Sequence, residues 1–136
     1  MSRSSPAVVA DIMIGDGYRV TANTSISALA DGLARHRLPG APVVDAQDHL
    51  IGFISEQDVL GQLLDSAYHC GQPALVGELM REAVLTVTPD KSIVDLAESM
   101  RGERPKVYPV VDDGHVIGLV TRREVLAALL VMRNRC

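Results

Sequence analysis

The residues able to do chemistry come in two matching sets. Ser55 and Asp58 stand three apart in "GFISEQDVL", and Thr121 and Glu124 stand three apart in "GLVTRREVL". Each hydroxyl falls where a strand-like apolar run gives way to a helix-like one. There it faces the same spot as the free N–H groups of a first helical turn, a place that attracts phosphate. A carboxylate three residues on accepts hydrogen bonds from a vicinal diol, and a ribose offers one. Gly52 removes a side chain where a backbone or a ligand comes close, and Phe53 beside it offers a ring to a base or to an aliphatic core. Arg122 and Arg123 follow Thr121 directly. Two cations at a helix start work against its dipole, which suits a nearby anion as well as a solvated surface.

A second reading of the same residues needs no ligand. Ser-x-x-Asp and Thr-x-x-Glu ahead of an apolar run are helix N-terminal signatures, and Thr121 with Glu124 has the full capping-box pattern. Capping prefers Glu or Gln at the fourth position. On that ground Asp58 is assigned to a ligand site and Glu124 to a cap. One stronger site at Asp58 and one altered or empty site at Glu124 are therefore expected.

The remaining candidates carry less. His49 and His115 recur beside an acidic turn, where a turn role accounts for both. The loop "GDGYR", Gly15 to Arg19, is glycine-rich without the spacing of a phosphate-binding loop. His69 and Cys70 are adjacent, so on one helix their side chains diverge, and Cys70 and Cys136 read as free thiols of a reducing cytoplasm. No Ser-His-Asp set, carboxylate pair or metal cluster stands at useful spacing, so catalysis is not expected.

The elements that position these residues are written twice. A slide of 67 aligns Val9–Asp45 with Val76–Asp112, and a slide of 66 aligns His49–Leu64 with His115–Leu130. The two blocks contain 20 identities in 53 positions, against roughly one in fifteen by chance, so the chain is a duplication. Each copy opens with a short helix ("VADIM", "VGELM") and an extended segment around Val20 or Val87. A one-faced helix follows, with Ile26, Leu29, Ala30 and Leu33 echoed by Ile93, Leu96, Ala97 and Met100. Strands "APVVD" and "YPVVD" open on a proline, which suits a strand start better than its middle. After an acidic loop come strands "LIGFIS" and "VIGLVT", then helices over Glu56–Tyr68 and Arg122–Met132. Residues 9–70 form the first copy and 76–132 the second, with 1–8 a tail and 71–75 a linker. The fold class is α/β (α+β). A unit of about 60 residues is marginal alone, so two pseudo-symmetric copies, packed through their small sheets, are expected to share one aliphatic core.

This order, a helix, then "PVVD", an acidic turn, "G-x-x-S/T-x-x-D/E" and a closing helix, twice in tandem over Val9–Met132, resembles a pair of CBS domains, the cystathionine β-synthase repeat. Such pairs, Bateman modules, occur in IMP dehydrogenases, chloride channels, magnesium transporters and the regulatory subunit of the AMP-activated kinase. The resemblance implies a free-standing regulatory module that binds an adenosine-containing ligand (AMP, ADP, ATP or a related adenosyl compound) in clefts between its repeats, with no required cofactor. It assigns the hydroxyl to phosphate and the carboxylate to ribose. It also makes each cleft composite. Gly52, Phe53, Ser55 and Asp58 then go with Val84, Thr86, Pro105 and Lys106. Thr121, Arg122 and Glu124 go with Tyr18, Leu38 and Pro39. A ligand-free dimerisation or adaptor module is the alternative.

Composition narrows the partners. A net charge of −4 disfavours a nucleic-acid binder that works by neutralising phosphates. No apolar run reaches the roughly 18 residues needed to span a bilayer, and "PAVVADIMI" is too short and too polar at Asp11 for a signal peptide. With 47% apolar residues but one Phe and no Trp, the interior must be aliphatic. "VLAALLVM", Val125–Met132, covers every face of a helix, more than one core can bury. The matching "VLGQLLDSAYH" keeps a polar side at Gln62, Asp65 and Ser66. A homodimer through the repeat-terminal helices is expected, as the resemblance also implies; the effector remains open.

Overall fold

The computed structural model describes residues 6–15, 17–69, 74–102 and 105–134. Asp16 of the glycine-rich loop, Cys70, Cys136 and most of the linker lie outside them. In chain order the elements are a 3-10 turn Val9–Asp11, β1 Ile14–Gly15, α1 Ile26–His36, β2 Gly40–Val44, β3 Leu50–Ser55, α2 Glu56–His69, α3 Val76–Leu79, α4 Ile93–Ser99, β4 Val107–Asp112, β5 His115–Thr121 and α5 Arg122–Asn134. This is the mixed α/β arrangement expected.

The chain divides into two compact units that cut across the sequence copies. One comprises residues 1–17, 85–113 and 117–136; the other comprises 18–84 and 114–116. Each copy thus lends its leading segment to the elements of the other. Val9 lies in the cluster of Ile93, Leu96, Val110 and Val120, while Val76 is buried and its N–H donates to Thr24 O at 2.9 Å. Two of the residues assigned to the tail, Ala7 and Val8, are also engaged, since Val8 bridges Ser92 and Ile93 N–H donates to Ala7 O.

In the unit of residues 18–84, β2 and β3 form an antiparallel pair, Pro42 opposite Phe53 and Val43 opposite Gly52. Helix α1 starts at Ser25, whose hydroxyl accepts the Ala28 N–H at 3.1 Å. Its periodic residues Ile26, Leu29 and Leu33 are buried as their spacing predicts. In the other unit β5 lies between β1 and β4. Helix α4 starts at Ser92 in the same way, with the Asp95 N–H donating to its hydroxyl. Asp113 (φ 52°) and Gly114 (φ 81°) form the two-residue hairpin turn between β4 and β5. Both sit in the left-handed region that such a turn demands.

The strands begin earlier than the prolines suggested. Pro42 and Pro109 are each the third residue of a strand. Their carbonyls accept the N–H groups of Val20 and Val87, both at 3.1 Å. Each proline therefore serves the ladder with the one backbone group it has.

Helix α2 departs most from expectation. Gln62 and Ser66 are half-buried on the side of Val59, with Gln62 Nε2 3.4 Å from Ser66 Oγ. Leu60, Leu63, Leu64 and Tyr68 are the exposed large apolar residues of its described side chains, while Asp65 is exposed as expected. The phase is set where the helix leaves β3. Asp58 is held back toward Ser55, and each residue turns the helix by 100°, so 59, 62 and 66 face inward and 60, 64 and 68 outward.

Candidate functional site

Ser55 ends β3 and begins α2, and its contacts with Asp58 are reciprocal. The Ser55 N–H donates to Asp58 Oδ2 at 3.1 Å, and the Asp58 N–H donates to Ser55 Oγ at 3.3 Å. The Ser55 hydroxyl also donates to Asp58 Oδ2 at 3.0 Å. This is a complete capping box. At the equivalent turn the Thr121 N–H donates to Glu124 Oε1 at 2.5 Å, but Thr121 Oγ1 accepts from Arg123 rather than from Glu124. Glu124 caps as expected, and Asp58, assigned to a ligand site, caps as well; the fuller box belongs to Asp58. The shorter carboxylate forms the box because β3 delivers Ser55 with its N–H and hydroxyl converging on one oxygen.

The rest of each helix start is satisfied in matching fashion. The Glu56 N–H donates to Pro39 O at 2.9 Å, and the Arg122 N–H donates to Lys106 O at 3.0 Å. Pro39 is thereby joined to the Ser55 turn and Lys106 to the Thr121 turn. Several N–H groups that could have faced an anion are thus bonded within the chain.

The space emptied by Gly52 is filled by the Met80 side chain and the Arg81 carbonyl. A methyl group there would lie 2.7 Å from Met80 Sδ and 3.0 Å from Arg81 O. Gly118 stands in the same relation to Ile14 O, at 2.7 Å. Phe53 exchanges two 2.8 Å hydrogen bonds with Arg81, and its ring covers Gly40. That ring is half-buried, so one side packs on the sheet.

This bridge brings in a residue that the sequence reading did not single out. Arg81 Nη2 lies 3.4 Å from Asp58 Oδ1; the arginine side chain is 67% exposed and the aspartate 17%. The signal for it lay in the duplication, because the slide of 67 that matches Met13 with Met80 sets Arg81 opposite Ile14. Only the pairing of Arg81 with Phe53 connects that difference to Asp58.

The remaining candidates are distributed between the units. Tyr18 packs its hydroxyl end over Gly32 and stacks on His36 at 4.7 Å. Burial pushes its phenol above the ordinary value. Leu38 is a core residue. Val84 is half-buried and Thr86 exposed, as are Pro105, Lys106 and Arg122. His49 and His115 meet, their rings 4.2 Å apart. Asp45 accepts the N–H groups of His49 and Gln47, each at 2.9 Å, and these bonds, His49 first, hold its carboxyl below the usual range. Arg19 pairs with Asp48 at 3.3 Å. Among the described residues, no group of three or more His, Cys, Asp or Glu could hold a metal ion, and no helix is long and apolar enough to cross a membrane.

Comparison with known proteins agrees with this architecture. The CBSX2 protein of Arabidopsis thaliana, solved in complex with AMP, superposes with a TM-score of 0.79 at 28% identity, covering 94% of this chain and 99% of that one. The CBS domain pair of protein MJ0100, in complex with 5′-methylthioadenosine and S-adenosyl-L-methionine, superposes at 0.74 with 27% identity, covering 90% and 98%. In sequence the chain is 27% identical to the chloroplastic CBS domain-containing protein CBSX1 of Arabidopsis thaliana over 88% of its length and 61% of that protein's. It spans between 22% and 61% of the first four curated relatives it matches. The CBS domain family matches the chain twice, over residues 9–65 and 76–131, so the chain belongs to the CBS domain family and carries two copies in tandem.

Proposed function

We propose that this chain is a non-catalytic regulatory module that senses an adenosine-containing ligand through the Ser55–Asp58 turn. One observation carries the reading. Asp58 is mostly buried and anchored by Ser55 through Oδ2, while among the hydrogen bonds of the described residues Oδ1 meets only the exposed guanidinium of Arg81. A ribose diol can replace that arginine without dismantling the cap. Support comes from the two similar solved pairs, one with AMP and one with adenosyl compounds. Phe53 and Val84, in the same unit as this turn, complete the proposed surface. The Thr121–Glu124 turn, with Arg122, is the weaker counterpart. Sensing requires that the ligand bind two arrangements of the protein with different affinity.

A thermal-shift series with AMP, ADP, ATP and S-adenosylmethionine, followed by calorimetric titration, tests the reading. A saturable rise with at least one of them is expected. A flat response to all four leaves the ligand-free adaptor, which the already complete caps favour. In either case the exposed leucines of α2 and α5 point to a homodimer, and a cytoplasmic setting suits a chain with only two cysteines.

A further inference from the structure

We infer that Arg81 makes the Asp58 turn selective for a phosphorylated adenosine ligand over a neutral or sulfonium-bearing one. The inference rests on the adenosine reading above and specifies which kind of adenosine compound this half accepts.

The helix start at Ser55 has few donors left for an anion. The Ser55 hydroxyl is spent on Asp58 Oδ2, the Asp58 N–H on Ser55 Oγ, and the Glu56 N–H on Pro39 O. A phosphate arriving there would find few donors to spare and one carboxylate to repel it. Arg81 supplies the missing positive charge. Its backbone is pinned by both hydrogen bonds to Phe53, so the stem starts beside the β3 strand. Its guanidinium reaches Asp58 Oδ1 at 3.4 Å, yet two thirds of the side chain is exposed. A pair that long and that exposed is held weakly, so the arginine can turn to a better acceptor. A phosphate is one, because the guanidinium fork matches two of its oxygens.

The exchange is chemically balanced. The ribose diol donates to Asp58 Oδ1, which releases Arg81. A nucleoside carries its 5′ group within an arginine's reach of its own diol, and the released guanidinium then pairs with the 5′-phosphate. An adenosyl sulfonium places a second cation there instead, and 5′-methylthioadenosine offers no acceptor of comparable strength. The equivalent position in the other copy is Ile14, which carries no charge.

Calorimetric titration of AMP, adenosine and S-adenosylmethionine against wild type, Arg81→Met and Arg81→Lys tests this. Wild type should prefer AMP to adenosine by about tenfold or more. Arg81→Met should weaken AMP by about tenfold to a hundredfold while adenosine holds or improves, since a competitor for Asp58 is gone. Arg81→Lys should recover part of the AMP preference. Equal changes for AMP and adenosine, or no change for AMP, would overturn the assignment to Arg81 and leave the adenosine reading intact. Wild type binding none of the three would overturn both.

Discussion

Replacing Asp58 by alanine, and in a parallel variant Glu124 by alanine, separates capping from ligand binding. Both carboxylates accept the N–H at the head of their helix, and losing such a cap costs about 0.5–2 kcal/mol. Asp58 also pairs with Arg81, but at 3.4 Å and with the arginine two thirds exposed that pair adds only about a few tenths of a kcal/mol. The unliganded variants should therefore be destabilised alike, by about 1–2 kcal/mol. A chain of 136 residues gains unfolding entropy at about 2.1 cal/mol/K per residue, so each kcal/mol lowers Tm by about 3.5 °C. Both should melt about 3–7 °C below wild type. Binding should then divide them. Losing diol hydrogen bonds to a charged acceptor costs roughly 1.5–3 kcal/mol, an affinity loss of about 10- to 150-fold. Asp58→Ala should show it in titration with AMP and Glu124→Ala should not. Asp58→Asn, which keeps a capping oxygen, should melt near wild type and still bind weakly. Equal losses of AMP affinity in the two alanine variants would refute the asymmetry.

Three further outcomes follow from the packing. Gly118→Ala sets a methyl group 2.7 Å from the backbone oxygen of Ile14 and should cost about 1–3 kcal/mol by overpacking. Gly61→Ala, with open space on α2, should instead raise stability by about 0.5–1 kcal/mol; urea melts compare them, and a Gly118→Ala protein as stable as wild type would contradict the β1–β5 pairing. Leu130 is 54% exposed, whereas Leu129 packs against the core. Leu130→Glu should therefore convert a dimer of about 29 kDa, twice 14.6 kDa, to monomer in sedimentation at micromolar concentration, and a wild-type monomer there would sink the proposal. Asp45 has its carboxyl lowered by hydrogen bonds from His49 and Gln47. A depressed folded value gives stability that is present above the unfolded pKa, about 3.9, and lost as pH falls through the lower folded one. The Tm gap between wild type and Asp45→Ala should be full at pH 6–7 and close below about pH 4.

Residue spacing alone carried the repeat, the helices and strands of each copy, and the two helix-start turns. Ile26, Leu29 and Leu33 recur at helical period and are buried on one face. Ser55-x-x-Asp58 and Thr121-x-x-Glu124 mark where strand becomes helix, because capping acts over three residues and is written locally. Three features were not legible in the residue pattern. The copies exchange their leading segments: β1 pairs with β5, and Met80–Arg81 lies on Gly52. A glycine reports that something comes close without naming what. The inward turn of Gln62 and Ser66 on α2 follows from the angle at which the cap launches the helix, against which the hydrophobic pattern pointed. Arg81 meets Asp58 across 23 residues because backbone hydrogen bonds to Phe53 hold it there, and backbone N–H and C=O groups are the same in every residue that could have stood in its place.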